Sequence, residues 1–491
     1  MSRLSDAVRG AAWSVVAGII ARALGLVGTL LLVRELLPSD YGVVCAASAV
    51  VSSAMQFSTL GLGVYLIAQP RLRRSAVVHS TVIHVVLGLL TLAVTSALAP
   101  AIGRFFDAPS ITRYVPGLVV AALFDRVAYV PERLLMRDLR FRLVGLSRSA
   151  GELAYTVVSV ATALRGWGGY AVVAGNLARS LTRSLVFIAA TDRREWIAFL
   201  PLHVRTLAAI AGYGTAVSVG ATAGFAARRW DNLLVSRYYG PSVMGTYNLA
   251  YNLADIPAVQ IGEQITDVLF ASLAATPPVE RPAMLMRAIR LLSLVMFPLA
   301  IGLGAIAPTV SATFFTQRWH DVGPLLMVLS ALSIPRPIGL ALTSYLQAER
   351  RPVTVMLLEI LTLVVLLGAM VVVGARGVLW SCGAVSVAFA VRTLVSMMIV
   401  HRREGIPMSA LLGPQLAPLL ACVPMVLVIL GARRIVHMLD MGARGVGLCV
   451  ELLAGTVAFV LAALVIARSA SRELIGLVRR APVVRPVVVP A

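Results

Sequence analysis

Apolar residues run along the chain in blocks of about twenty, and most blocks end in a short turn carrying arginine, proline or glycine. A helix of that length crosses a hydrocarbon core of about 30 Å. The blocks predict membrane spans at roughly 11–33, 43–67, 77–102, 112–130, 149–166, 168–190, 207–236, 243–271, 289–315, 322–346, 352–373, 377–400, 411–431 and 446–467. No soluble domain fits between these fourteen spans. Composition agrees, since 59% of the 491 residues are hydrophobic and 13% are charged, which overrides the several soluble domains expected from length alone. The expected fold class is an all-α polytopic membrane protein with about fourteen transmembrane helices.

Charge orients this map. The chain has no lysine, so its 43 basic residues are all arginine, and with 22 acidic residues they give a formal charge of +21. If the N-terminus is inside, 25 arginines fall on inner segments and 10 on outer ones. That bias is the one the positive-inside rule predicts for an even number of spans with both termini in the cytoplasm. A nucleic-acid partner would need a soluble basic face with interleaved aromatics and is not expected. Cys45, Cys382, Cys422 and Cys449 each lie singly in an apolar block, so neither a metal site nor a disulfide framework is expected. The basic start MSRLSDAVRG leads into an apolar run that continues to about Val33, which reads as a retained first span rather than a cleaved signal. The phosphate-loop, HExxH and GxSxG signatures are missing and the outer loops are short, so neither enzyme activity nor a cofactor is expected. The proline-rich ending RRAPVVRPVVVPA reads as a disordered tail.

Two distant stretches share their punctuation. LLVRELLPSDYG (31–42) and LLVSRYYGPSVMG (233–245) align with one gap opposite Gly240, pairing Pro38 with Pro241 and Gly42 with Gly245. Turn chemistry alone favours Pro and Gly at helix ends. The two stretches, however, end spans one and seven on the same side of the charge map, with six spans per half. This spacing favours a parallel repeat, two pseudo-symmetric six-helix lobes related by an axis along the membrane normal. The expected organisation is an N-terminal lobe over 1–204, a C-terminal lobe over 205–404, two additional spans within 405–470 and a cytoplasmic tail over 471–491.

These stretches, with FSTLGLGVYLI, PERLLMRDLRFR and RRWDNLLVSRYYGPSVMGTYNLAYNLADIPAVQI, resemble the polysaccharide transporter family of lipid-linked oligosaccharide flippases, within the multidrug/oligosaccharidyl-lipid/polysaccharide exporter superfamily. The likeness covers most of the first 400 residues. One departure is VLFASLA, where Ala271 stands in place of an expected proline and leaves the local helix ending open. The resemblance implies a flippase with a cationic cavity and alternating access. Its substrate would be an undecaprenyl-pyrophosphate-linked oligosaccharide, moved across the bacterial inner membrane for exopolysaccharide, O-antigen or capsule assembly. Implied partners are membrane lipids and polysaccharide polymerase and chain-length or export proteins. The alternative within the superfamily is a cation-coupled exporter of small molecules or drugs. A membrane polymerase or glycosyltransferase is disfavoured by the lack of a large outer loop.

Charged residues inside spans are costly and mark candidate sites. Arg22 lies in span one, and Arg228, Arg229 and Asp231 lie in span seven, its partner under the repeat. Arginine presents a fixed charge and a fork of donors suited to phosphate oxygens, so Arg22, Arg228 and Arg229 are the expected substrate-binding residues of a cationic cavity. Arg228 can instead pair with Asp231 three residues on, as Arg126 can with Asp125 in span four. Asp231, Asp255 and Glu263, with Glu359 in span eleven, are candidates for ion coupling or for charge balance. Trp230, Tyr238, Tyr239, Tyr247 and Tyr251 read first as an interfacial belt, and second as sugar-stacking residues.

Overall fold

The structure is a computed structural model, and it describes residues 24–59, 62–63, 66, 74–138, 140–198, 218–257, 262–331, 334–439 and 444–480. Among these residues there is no strand. Helix α1 covers residues 24–35 and α2 covers Pro38–Phe57. Then come α3 (Arg74–Phe105), α4 (Ile111–Arg137), α5 (Phe141–Ala163) and α6 (Tyr170–Ala190). Helix α7 covers residues 218–227. The rest are α8 (Trp230–Pro257), α9 (Glu263–Ala275), α10 (Arg281–Phe314), α11 (Val322–Ser330), α12 (Arg336–Ala348), α13 (Pro352–Val373), α14 (Val378–Glu404), α15 (Met408–Met438), α16 (Arg444–Ile466) and α17 (Arg468–Arg480).

Among the described residues, seven helices are long and apolar enough to cross a membrane: α3, α4, α10, α13, α14, α15 and α16. Their outer faces need lipid. Only 17% of the apolar window of α16 is buried within the chain, and Leu453, Val457, Leu461 and Val465, four apart along it, are each between 57% and 69% exposed. In water such a stripe would be a large apolar patch, whereas hydrocarbon covers it at no cost. Helix α15 also runs through Pro414, Pro418 and Pro424 without interruption, which membrane helices tolerate. The chain is therefore a multi-pass membrane protein.

Two compact units are formed, one from 1–250, 314–322 and 352–388, the other from 251–313, 323–351 and 389–491. In the first, α4 packs against α2, α3 and α6, and α5 pairs with α6. Its cores include Leu66, Val77, Val130, Leu134 and Trp196, and Ala128, Leu135, Val144 and Phe187. In the second, α9 pairs with α12 and α15 with α16, while Leu294, Ala421, Ala463, Ala467 and Ala470 form a small-residue core.

The two matching stretches fold alike and meet within the first unit. Pro38 opens α2 after Leu37 (ψ 144°), and Pro241 opens the second arm of α8 after Gly240 (φ 79°, ψ 173°), where α8 kinks. Proline lacks the N–H that a first helical residue does not use, and it forces the preceding residue into an extended conformation. Gly240 alone has positive φ here, which suits a residue without Cβ. A Cβ on Gly42 would lie 1.8 Å from the Pro241 carbonyl oxygen, and one on Gly245 would lie 2.2 Å from the Pro38 carbonyl oxygen. Each glycine thus faces the other stretch's proline, which is the reciprocity of a self-complementary contact.

Three expectations about boundaries change. Predicted span ten is carried by two helices, with α11 ending at Ser330 before α12 starts at Arg336. Pro335, the N-cap of α12, accounts for the interruption, because it cannot donate within a continuing helix. Helix α9 runs through Ala271 to Ala275 and stops before Pro277, so the missing proline moves the helix end by about one turn. Residues 471–480, assigned above to the tail, belong to α17.

Candidate functional site

Span seven is interrupted where its charges sit. The amides of Arg228 and Arg229 donate to the carbonyls of Phe225 and Ala226, both at 3.1 Å. These three-residue steps tighten the end of α7 into a turn. Both arginine side chains are exposed, and the next helix starts at Trp230, whose indole N–H donates to Ser53 Oγ at 3.1 Å. No ion pair forms between Arg228 and Asp231, although the charge of Arg229 reaches Asp231 across the turn.

Asp231 is instead fully buried in a network that staples the two arms of α8. Its carboxylate accepts from Tyr247 Oη at 2.8 Å and from Asn232 Nδ2 at 2.9 Å. The Asn232 side-chain oxygen accepts from Asn248 Nδ2 at 2.9 Å. Residues 231 and 247, and 232 and 248, form two successive rungs, so the chain doubles back at Gly240. A buried carboxylate satisfied by a hydroxyl and an amide costs far less than an unpartnered one. The acidic neighbour nearest in sequence to Arg228 and Arg229 is therefore committed to fold. Among the described residues neither arginine forms an ion pair.

Glu359 belongs beside the same segment. A Cβ on Gly224, one turn before Arg228, would sit 2.8 Å from Glu359 Oε2, so glycine makes the space that brings this carboxylate against α7. The first half repeats the arrangement with a residue that sequence reading did not single out. A Cβ on Gly25 in α1 would sit 3.3 Å from Glu152 Oε2 in α5. Glu152 pairs with Arg179 at 3.4 Å, and that guanidinium lies 5.0 Å over the Tyr155 ring. The signal was available, because Glu152 and Glu359 are the acids of predicted spans five and eleven, which the expected repeat would pair.

Other candidates lie elsewhere. Asp255, in the second unit, is ion-paired with Arg336, whose guanidinium lies 5.1 Å over the Phe389 ring. Glu263 stands at the start of α9, but its side chain, like Arg22, lies outside the described residues. Arg126 does not pair with Asp125. It donates to the Met55 carbonyl at 2.7 Å and to Ser58 Oγ, and approaches His84 Nε2 at 3.2 Å, placing its charge at the C-terminal end of α2. Asp125 accepts from Ser180 Oγ at 2.8 Å, and Glu132, seven residues on, pairs with Arg148 at 2.9 Å and Arg183 at 3.7 Å. Of these two acids of α4, Asp125 is thus hydrogen-bonded to a hydroxyl and Glu132 is ion-paired. Among the expected stacking aromatics, Trp230, Tyr239 and Tyr247 have their polar atoms bonded to Ser53, the Gly374 carbonyl and Asp231.

Residues 31–324 match the family described as Polysaccharide biosynthesis protein. The chain is 24% identical over 354 residues to Lipopolysaccharide biosynthesis protein WzxC of Escherichia coli (strain K12), covering 72% of each chain. It is 25% identical over 331 residues to Succinoglycan biosynthesis transport protein ExoT of Rhizobium meliloti (strain 1021), covering 66% of this chain and 65% of that one. Among solved structures it is similar to lipid II flippase MurJ in an inward closed conformation, with a TM-score of 0.74 at 13% identity over 94% of this chain and 99% of the other. At that identity the likeness is one of fold.

Proposed function

Because the chain belongs to the polysaccharide biosynthesis protein family, we propose that it is a flippase that moves an undecaprenyl-pyrophosphate-linked oligosaccharide across the bacterial inner membrane by alternating access. The observation that carries this reading is the pair Arg228 and Arg229. They stand exposed at a helix interruption inside an apolar segment, without an ion pair among the described residues, while Asp231 is held by Tyr247 and Asn232. Two adjacent guanidinium forks match the oxygens of a diphosphate, and away from bulk water each bond to phosphate is strengthened by the lower dielectric. The polyprenyl tail stays in lipid, so only the hydrated headgroup needs a protein path. No bond in the substrate is made or broken.

The reciprocal contact of Gly42 and Gly245 with Pro241 and Pro38 supports a parallel repeat, and with it about fourteen spans in two six-helix lobes plus two C-terminal helices. In this reading both termini are cytoplasmic, and a polymerase and export proteins take over the product. Asp255 serves charge balance, since Arg336 engages it, which weakens the cation-coupled exporter as an alternative. The test is the set of lipid-linked sugars in cells depleted of the protein. A complete polyprenyl-pyrophosphate oligosaccharide accumulating on the cytoplasmic face, with loss of surface polymer, is expected. Intact polymer without accumulation would overturn the reading.

A further inference from the structure

Helix α17 takes no part in the proposed transport path, and its position and faces point to a partner of their own. Helix α16 ends at Ile466 and α17 begins at Arg468, so α17 starts where the chain leaves the hydrocarbon. The two do not form one straight rod. Ser471 Oγ donates to the Ala463 carbonyl at 2.9 Å, whereas eight residues of straight helix rise about 12 Å. The bend falls at Ala467.

The helix has two unlike sides. Ala470 is buried with Leu294, Ala421 and Ala463, and Leu474 packs against the same cluster. Arg468 and Arg472 share the other side, one turn apart at i and i+4. The side chains of Arg468 and Arg472 are exposed and form no ion pair among the described residues. Glu473, the helix's own acid, faces α10, where it pairs with Arg287 and, at 3.9 Å, with Arg290. Protein therefore covers the side of Ala470 and Leu474, and the side left open at the membrane surface carries two arginines beside one exposed apolar residue, Ile475, without a carboxylate.

We propose that the Arg468 and Arg472 pair is a binding surface for anionic phospholipid headgroups. An arginine beside an anionic membrane surface gains roughly fivefold in affinity, so two arginines favour an anionic lipid over a zwitterionic one by about 25-fold. Long arginine side chains reach phosphates from a helix docked just above them, and their forked donors hold phosphate oxygens. The surface selects lipid by headgroup charge, unlike a helix that inserts its own apolar face.

The test uses the full-length chain purified in detergent and offered equal amounts of phosphatidylglycerol and phosphatidylcholine, with bound lipids counted by native mass spectrometry. The wild-type chain is expected to retain phosphatidylglycerol preferentially. Arg468→Gln/Arg472→Gln is expected to cut that preference at least tenfold, while the double lysine variant keeps most of it because the charge remains. An unchanged preference in the glutamine double would overturn the proposal, as would an equal loss in the control Arg165→Gln. If the double is produced poorly, Arg472→Gln alone should lower the preference roughly fivefold. No transport substrate enters the measurement, so its outcome is independent of the flippase reading.

Discussion

Replacing Gly42 by alanine tests whether the two matching stretches touch as closely as their backbones indicate. The added Cβ would fall 1.8 Å from the Pro241 carbonyl oxygen and 2.8 Å from its carbon. A carbon and a carbonyl oxygen in favourable contact lie about 3.3–3.6 Å apart, so the two helix starts must separate by about 1.5 Å. Both obstructing atoms belong to the backbone, and no side chain can rotate to relieve the clash. Overpacking of this kind costs about 1–3 kcal/mol. Gly413, in the interior of α15, provides the control because nothing lies within 4 Å of a Cβ there, and alanine in an open helix position gains up to about 1 kcal/mol. Heat-induced loss of the folded full-length chain in detergent is the assay. Gly42→Ala and Gly245→Ala are expected to lower the midpoint by a few degrees, whereas Gly413→Ala leaves it unchanged or raises it. The double variant Gly42→Ala/Gly245→Ala should lose less than the sum of its parts, because one separation relieves both clashes. Equal tolerance at Gly42 and Gly413, or full additivity in the double, would refute the reasoning.

Two other substitutions probe the charged groups. Arg228→Ala/Arg229→Ala should reduce surface-polymer export tenfold or more without lowering the protein level, since each charge-assisted bond contributes about 1.5–3 kcal/mol; full export in the double variant would remove both from the mechanism. In the second unit, Glu451 is buried at 1% exposure and held by Arg433, at 3.0 Å, and by Thr309 Oγ1, at 2.7 Å. Arg433→Met should destabilise the chain by about 3 kcal/mol by leaving a buried charge without its partner, and Arg433→Met/Glu451→Met should recover most of that loss. A heat midpoint in the double no better than in the single would count against this account.

The positions of the buried ion pairs give the second unit a feature of its own. Arg433 and Glu451 join α15 to α16, and Thr309 brings α10 into the same group. Helices α15 and α16 are thus tied to α10 by polar contacts as well as by the Leu294 and Ala421 packing. In hydrocarbon, where burying apolar surface gives little drive for helices to associate, packing of small residues and interhelical hydrogen bonds carry that role.

Much of the fold is legible in the amino-acid order alone, because lipid imposes its length and polarity on every segment that crosses it. Apolar blocks located the long helices, prolines and glycines marked where α2 and the second arm of α8 begin, and arginine bias supplied an expected orientation. The matching of Pro38 with Pro241 was likewise visible as spacing. Only the tertiary structure showed that the two stretches touch, since an approach too close for a Cβ on Gly42 depends on how helices two hundred residues apart are packed. It also decided among charges whose sequence neighbours suggested the wrong partners. Asp231 is held by Tyr247 rather than Arg228 and Asp125 by Ser180 rather than Arg126; for Asp255, to which sequence reading gave no partner, it supplied Arg336, 81 residues away. Helical spacing specifies which residues can share a face. Which face meets another helix, and so which charge is neutralised and which is left free to bind, follows from packing between segments, which local order does not encode.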